Sequence, residues 1–145
     1  MMHLANINWL AVLVAAVAAW ILGAVWYGTL SKAWIAAQGK TMEMVKQEQA
    51  EKVGRVSALL PFLLVFIGNL IMALMLYGIM THVGPFTIRS GMISGALIWF
   101  GFVATTITVN YAFQGRKPML AVIDGGYWLA VLLLTGAILG AFGAK

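Results

Sequence analysis

The residues best suited to chemistry lie in the last third of the chain. Asp124 is an acid within a long apolar stretch, where ionisable groups often serve a function. It follows Pro118 by about two helical turns, roughly 9–10 Å. Asn110 lies at a similar distance before the turn around Gly115. A helical hairpin would therefore bring Asn110 and Asp124 to the same depth, where they could bind an ion or a solute.

Other polar and aromatic residues fall near that depth. Thr106 lies one turn beyond Asn110, and Tyr127 lies one turn beyond Asp124. Trp26 and Tyr27 close the first apolar run on the same side. We expect a polar cluster here, either lining a ligand site or forming hydrogen bonds between helices, and the second role is the commoner one for such residues.

Several chemistries have no candidate residues. The chain has no cysteine and two histidines, His3 and His82, both near the ends of apolar runs. It also lacks a phosphate-binding glycine loop and a serine–histidine constellation. We expect no catalytic residues, no metal and no cofactor, and therefore a protein that is not an enzyme.

The composition of the chain predicts that these residues lie on membrane-spanning helices. Hydrophobic residues make up 63% of the chain and charged residues 9%, far from the balance of a soluble domain. Apolar runs long enough to cross a bilayer predict spans at about 7–30, 57–80, 91–113 and 119–142. The first run is too long for a signal peptide and lacks a basic start. The sequence predicts one all-α domain over residues 1–145, a four-transmembrane-helix bundle in the lipid bilayer.

The basic residues orient this bundle. The net charge of +5 arises mainly from two connections between spans, which hold seven of the nine Lys and Arg residues. Because basic residues favour the cytoplasm, these connections are predicted to be cytoplasmic and both termini to lie outside a bacterial inner membrane. This distribution argues for membrane orientation and against a nucleic-acid partner.

The connections differ in kind. Residues 41–56 mix Met and Val with Lys and Glu, which predicts a short amphipathic cytoplasmic helix between spans one and two. Gln114 to Pro118 is a tight turn that makes spans three and four antiparallel neighbours. Pro61 either lies in the first turn of span two or kinks a longer helix, and the sequence leaves both open.

Small residues at helical spacing indicate how the spans pack. Lipid gives apolar helices no advantage in associating, so close packing of small residues holds them together. Asn69, in the middle of span two, must face protein and is interpreted as a link between helices. Three spans carry a stripe of small residues, which predicts a compact bundle, a homo-oligomer and possible membrane-protein partners. The stripes are Ala11, Ala15, Ala19 and Gly23 in span one, Ser94, Gly101, Thr105, Thr108 and Ala112 in span three, and Gly136 and Gly140 in span four.

Seven short motifs carry a family resemblance: Asn8-Trp9, Trp26-Tyr27-Gly28, Lys32-Ala33-Trp34, Gly101 to Thr106, Asn110-Tyr111, Ile123 to Tyr127 and Gly136 to Gly140. Through these motifs the chain resembles the DUF1761 family of small bacterial membrane proteins. It spans nearly the whole chain except the Lys40–Arg55 stretch. It implies no function, but it draws attention to Trp26, Tyr27, Lys32, Thr105, Thr106, Asn110, Asp124 and Tyr127.

Two functions follow from these expectations. The first is a self-associating accessory or interaction protein, indicated by the small-residue stripes and the lack of catalytic residues. The alternative is a small ion or solute channel or transporter that uses the cluster around Asp124. A membrane sensor with the cytoplasmic helix as its output is a third possibility.

Overall fold

A computed structural model describes residues 6–144 of the chain, which are helical without any strand. The fold class predicted from the sequence is confirmed. The helices, in chain order, are α1 (Trp9–Thr29), α2 (Ser31–Ala37), α3 (Met42–Lys52), a short 3₁₀ turn (Val56–Ala58), α4 (Leu60–Val83), α5 (Ile88–Ile98), a π-helical segment (Trp99–Ala104), α6 (Thr105–Phe113) and α7 (Pro118–Phe142).

Four helical stretches are long and apolar enough to cross a membrane. They are α1, α4, the continuous run from Ile88 to Phe113, and α7. Their ends lie within three residues of the predicted spans. We call the π-helical segment within the third of these runs the π segment.

Side chains and prolines define the helix ends. The Asn8 side chain accepts a hydrogen bond from the Ala11 amide at 3.2 Å and so caps α1. Thr87 and Ser90 cap α5 reciprocally, which starts that helix three residues before the prediction. Pro61 lies in the first turn of α4, where its missing N–H costs no helical bond. The question left open by the sequence is therefore resolved without a kink.

One end of the bundle carries most of the charge. We call it the basic end, and it holds α2, α3 and the α6–α7 turn with Lys32, Lys40, Lys46, Lys52, Arg55, Arg116 and Lys117. The predicted helix in the first connection is present as α3. It buries no residue, and Met42 and Met44 lie on nearly opposite sides, so its apolar side chains form no single stripe.

An ion pair ties α3 to the preceding loop. Lys40 Nζ lies 2.8 Å from Glu48 Oε1 and contacts both carboxylate oxygens. The hydrogen bond from Lys40 holds the pKa of the Glu48 carboxyl below its usual value. Because both side chains are partly exposed to solvent, the contact orders the loop more than it stabilises the fold.

The central helix is α7, which contacts α1, α4 and α5. Its approach to α5 is close enough for backbones to touch. A Cβ atom built on Gly91 would overlap the Gly136 carbonyl, and one on Gly140 would overlap the Thr87 carbonyl. Gly136 and Gly140 therefore pack within one chain, as glycines do where helices approach most closely.

The half of the bundle away from the basic end has an apolar core. It is built around Ile7, Val12, Leu76, Leu132 and Leu139, each at most 1% exposed. The small residues of α1 form its wall, with Ala11, Ala15 and Ala19 fully buried. This part of the interior is filled by packed side chains.

Span three is the least buried of the four. Ser94 is buried against the bundle, but the rest of its small-residue stripe is exposed, namely Gly101, Thr105, Thr108 and Ala112. The stripe that the sequence indicated is therefore divided. Its first part packs inside the chain, and its second part faces outward.

Candidate functional site

The carboxylate of Asp124 accepts three side-chain hydrogen bonds. The Tyr27 hydroxyl donates to Oδ1 at 2.7 Å, and the Trp34 indole N–H donates to the same oxygen at 3.1 Å. The Tyr111 hydroxyl donates to Oδ2 at 2.8 Å. The three donors come from α1, α2 and α6, while Asp124 belongs to α7. One acid therefore joins four helices near the basic end.

The path of the chain from α1 into α2 places Tyr27 and Trp34 beside Asp124. Tyr27 lies in the last turns of α1, and the chain breaks at Leu30 before α2 begins, which places Trp34 beside α7. The Lys117 ammonium donates to the Ala36 carbonyl at 3.1 Å and holds the end of α2 against the α6–α7 turn. A cation at a helix C-terminus also complements the helix dipole.

Two further tryptophans bracket Asp124 through the backbone. The Trp26 indole donates to the Ile123 carbonyl at 3.1 Å, and the Trp99 indole donates to the Gly125 carbonyl at 2.7 Å. Gly126 makes room for the Trp26 ring, which lies 3.1 Å from where a Cβ would stand. These bonds hold from both sides the turn of α7 that bears the carboxylate.

Aromatic rings support the site from within the bundle. Tyr27 packs edge-on against Trp34, with ring centroids 5.1 Å apart, and against Tyr127 at 5.2 Å. The Tyr127 hydroxyl points away from Asp124, toward Gly23 and Asn69. The Asn69 side-chain oxygen and nitrogen and the Tyr127 hydroxyl are buried without a hydrogen bond of acceptable geometry.

An open cavity of about 220 Å³ adjoins the carboxylate. Its wall combines one acid, one cation, two amides and two aromatic rings. The lining residues are Trp34, Gln38, Tyr111, Gln114, Arg116, Leu120 and Asp124. Such a mixed wall around a recessed acid is suited to holding a small polar solute.

The structure brings together part of the predicted cluster. Asp124 and Tyr27 are bonded to each other, Trp26 holds the adjacent backbone, and the Tyr127 ring packs behind Tyr27. Lys32 is exposed on α2, with no side-chain bond to the described part of the chain.

The predicted partners on span three do not reach Asp124. The hydroxyls of Thr105 and Thr106 bond to carbonyls of their own helix, at Gly101 and Phe102. Asn110 is exposed on the outer side. The prediction rested on depth in the membrane alone. At that depth the structure turns Tyr111, and not Asn110, toward Asp124.

The sequence reasoning missed two of the three donors. Tyr111 directly follows Asn110, and Trp34 lies beyond the end of span one, in a part of the chain that was treated as connection. Trp34 could have been found from its indole N–H, because a tryptophan N–H that is buried or at the membrane interface usually needs a hydrogen-bond acceptor. Asp124 was the one acid available to it within an apolar run.

Metal ligands are not gathered at this site. No group of three or more His, Asp or Glu side chains occurs anywhere within residues 6–144. His3 lies outside that range, and His82 bonds to the Gly78 carbonyl at the opposite end of the bundle.

Comparison with known proteins gives a family and no activity. No curated protein and no solved structure matches the chain. One family model matches residues 10–140, and its description is a protein of unknown function, DUF1761. Since the match covers nearly the whole chain, the protein belongs to the DUF1761 family.

Proposed function

We propose that this protein binds a small solute of amphoteric character, with one cationic and one anionic group, in the cavity beside Asp124. The observation that carries the proposal is the position of the Asp124 carboxylate, fixed by three donors at the wall of an open cavity. This role involves no catalysis. It develops the solute-handling function that the sequence offered as an alternative.

The carboxylate retains capacity for a ligand. A carboxylate offers about four acceptor positions, two on each oxygen. Tyr27 and Trp34 use both positions on Oδ1, whereas Tyr111 uses one on Oδ2. A ligand ammonium can donate to the remaining position on Oδ2. The aromatic rings around it add favourable contacts for a cation.

Arg116 supplies the opposite charge. Its Nε donates to the Gln114 side-chain oxygen at 3.3 Å, and its terminal N–H groups make no bond to the described part of the chain. A guanidinium presents five donors and binds carboxylates in a two-point geometry. An anionic group on the solute can therefore pair with Arg116 while its ammonium reaches Asp124.

The size of the cavity limits the solute. About 220 Å³ suits a molecule of amino-acid size. Gln38 and Gln114 offer both donors and acceptors to its uncharged polar groups.

The same bonds also have a structural role. They hold α1, α2 and α6 against α7, and such interhelical hydrogen bonds contribute about 1 kcal/mol or less each in membranes. A purely structural Asp124 would not require Arg116, which binds nothing on another helix. Variants at Arg116 therefore separate ligand binding from helix attachment.

Tryptophan fluorescence of the purified full-length protein tests the proposal, because Trp34 borders the cavity. Free alanine and free glutamine serve as probes, with methylamine and acetate as single-charge controls. We expect saturable changes with an amino acid and none with the single-charge compounds. We expect Asp124→Asn and Arg116→Gln to weaken binding at least tenfold, as loss of a charge-assisted bond implies.

The matched control is Arg89→Gln, because Arg89 is an exposed arginine at the opposite end of the bundle. Its binding curve should equal that of the native protein. If no amino acid gives a saturable change, or if Arg116→Gln binds like Arg89→Gln, the proposal is wrong. Because Arg116 bonds to no other helix, its variant is informative even if Asp124→Asn fails to fold.

For location, we propose the bacterial inner membrane with the basic end in the cytoplasm and both termini outside. The support is the placement of seven basic residues at one end of the bundle. The cavity would then take its solute from the cytoplasm.

The second function we propose is self-association through span three, which would suit an accessory or interaction protein. Its support is the outward-facing stripe of Gly101, Thr105, Thr108 and Ala112, together with the exposed amide of Asn110. Lipid cannot hydrogen-bond an amide, whereas a second copy of the chain can, and small residues allow its backbone to approach.

Native mass spectrometry after gentle extraction tests this second function. We expect a homo-oligomer that Gly101→Leu converts to monomers. Gly28→Leu is the control, since Gly28 is an exposed glycine on α1 with open space around it. A monomer in the native sample would refute self-association. A different protein in the complex would indicate an accessory subunit instead.

A further inference from the structure

Burial along span three changes its register at the π segment. Before it, Gly91, Ser94 and Gly95 are buried against α7. A regular α-helix would continue this face through Phe102, Thr105 and Val109. In the structure these three residues are exposed, and the inward positions lie one or two residues later, at Val103, Ile107 and Tyr111.

The π segment supplies one residue of this offset. A π bulge inserts a single extra residue into an α-helix, and such bulges are common at functional sites. Here it covers Trp99–Ala104, between the part of span three that packs on glycines and the part that reaches Asp124. Everything after it is turned by one residue position.

Hydrogen bonds to α7 hold the extra residue in place. Before α6, the Trp99 indole is bonded to the Gly125 carbonyl. Near the end of α6, the Tyr111 hydroxyl is bonded to Asp124. The Thr105 and Thr106 hydroxyls bond back to carbonyls of the π segment, at Gly101 and Phe102. Within residues 6–144, the Tyr111 hydroxyl makes the one side-chain hydrogen bond from α6 to another helix of the bundle, so we take it as the polar contact that sets the register of α6.

We propose that the π segment is a register switch for the Asp124 site. If it closes to a regular α-helix, α6 turns by about 100° and shifts by about 1.5 Å. Asn110 then takes the place of Tyr111 opposite Asp124, and Thr106 takes that of Ile107. The proposal concerns regulation of the site whose ligand was proposed above, and rests on that function for its purpose.

Each register places a donor opposite the acid. In the present one the Tyr111 hydroxyl donates directly to Asp124, and in the other the shorter Asn110 side chain would donate through a bridging water. The switch also moves two polar side chains from the outer surface to the interior and an isoleucine to the outside. The α6–α7 turn can absorb the small shift, because it contains Gly115 at a φ of +62°.

The cavity differs between the two registers. Tyr111 is one of its walls, and asparagine is a much smaller side chain than tyrosine. The Asn110 register would therefore widen the cavity and replace an aromatic face with an amide. In this way a movement within span three would change which solutes fit beside Asp124.

Distances between spin labels test the switch without any solute. The chain has no cysteine, so Lys32→Cys and Phe113→Cys give two unique labelling sites, both exposed and outside the cavity. Turning α6 by about 100° should move the label at 113 by on the order of 10 Å. We expect a single population of distances in the doubly labelled protein with native Tyr111.

Variants at Tyr111 and Asn110, and a deletion in the π segment, test whether the distance reports the register of α6. Tyr111→Phe removes the hydroxyl, so a second population at a shifted distance should appear. Adding Asn110→Ala removes the donor of the alternative register and should suppress that population. Deleting Gly101 removes the extra residue and should keep the native distance as the one population, even with Tyr111→Phe.

An unchanged distance in Tyr111→Phe would overturn the proposal, as would a shift that persists with Asn110→Ala. Phenylalanine retains the ring and its packing on Leu120, so the fold is expected to survive. Because the sample contains no solute, this result is independent of the fluorescence titration. Failure of the switch and failure of the binding function are therefore distinguishable.

Discussion

Tyr27 joins two kinds of contact at the candidate site. Its hydroxyl donates to Asp124 at 2.7 Å, and its ring packs against Trp34 and Tyr127. Tyr27→Phe keeps the ring and removes one bond, so we expect a loss of about 1 kcal/mol in the free energy of unfolding. Unfolding in mixed micelles measures it. Thr106→Val is the control, because that hydroxyl bonds within its own helix and should matter less.

For Asn69 and Tyr127 we expect the opposite result, no loss of stability when their polar groups are removed together. Their polar atoms are buried and lack acceptable hydrogen bonds, although they face each other across the interior. Replacing both partners of such a pair with apolar groups of similar shape is often neutral or stabilising. We expect Asn69→Leu with Tyr127→Phe to be at least as stable as the native protein.

The same unfolding measurement checks this pair. Asn69→Leu alone should be less stable than the double variant, since it leaves the tyrosine hydroxyl with no polar neighbour. A loss of more than about 2 kcal/mol in the double variant would contradict the expectation, because it would mean a well-formed bond in solution.

At this scale the sequence identifies the acid but not its environment. Asp124 stands out as a lone acid in an apolar run, and Tyr27 follows from its depth. The sequence gives no reason to choose Tyr111 over Asn110, since both lie near the depth of Asp124. Asparagine has more hydrogen-bonding groups than tyrosine, but it is Tyr111 that bonds to Asp124. Trp34 depends on the short helix α2, which follows the break at Leu30. The predicted first span ends at that break, but no pattern in the sequence indicated a helix that turns Trp34 toward α7.

Among the elements, the contact of α5 with α7 is the most sensitive to volume. Gly91→Ala would place a methyl group on the Gly136 carbonyl, and neither backbone can yield without separating the helices. Overpacking of this kind costs about 1–3 kcal/mol, and backbone contact puts this site at the upper end. A lower unfolding temperature should follow.

The matched control for this contact is Gly68→Ala. Gly68 lies inside α4 with nothing within 4 Å of an added Cβ, so alanine should stabilise that helix by up to about 1 kcal/mol. Equal stability changes in the two variants would contradict the role given to close α5–α7 packing.

Helix boundaries were predictable where the chain itself marks them. Apolar run length, Pro118 and the Gly115 turn defined spans three and four to within three residues. The π segment has no such mark, because its residues Trp99 to Ala104 are ordinary formers of apolar helices. The π segment lies between two side-chain hydrogen bonds to α7, and such contacts between helices are not visible in a single sequence.

For the whole molecule, the distribution of charge makes a prediction about topology. Seven basic residues gather at one end, with Arg89 near the other. We expect an alkaline phosphatase fusion after Lys145 to be active and a fluorescent protein that matures in the cytoplasm to stay dark there. The reverse pattern would invert the bundle and place the Asp124 cavity outside the cell.

The packed apolar half of the bundle has a consequence for ion leakage. The buried side chains of Ile7, Leu76, Leu132 and Leu139 pack together there. We therefore expect lipid vesicles that contain the purified protein to lose an imposed proton gradient no faster than vesicles of the same lipid without it.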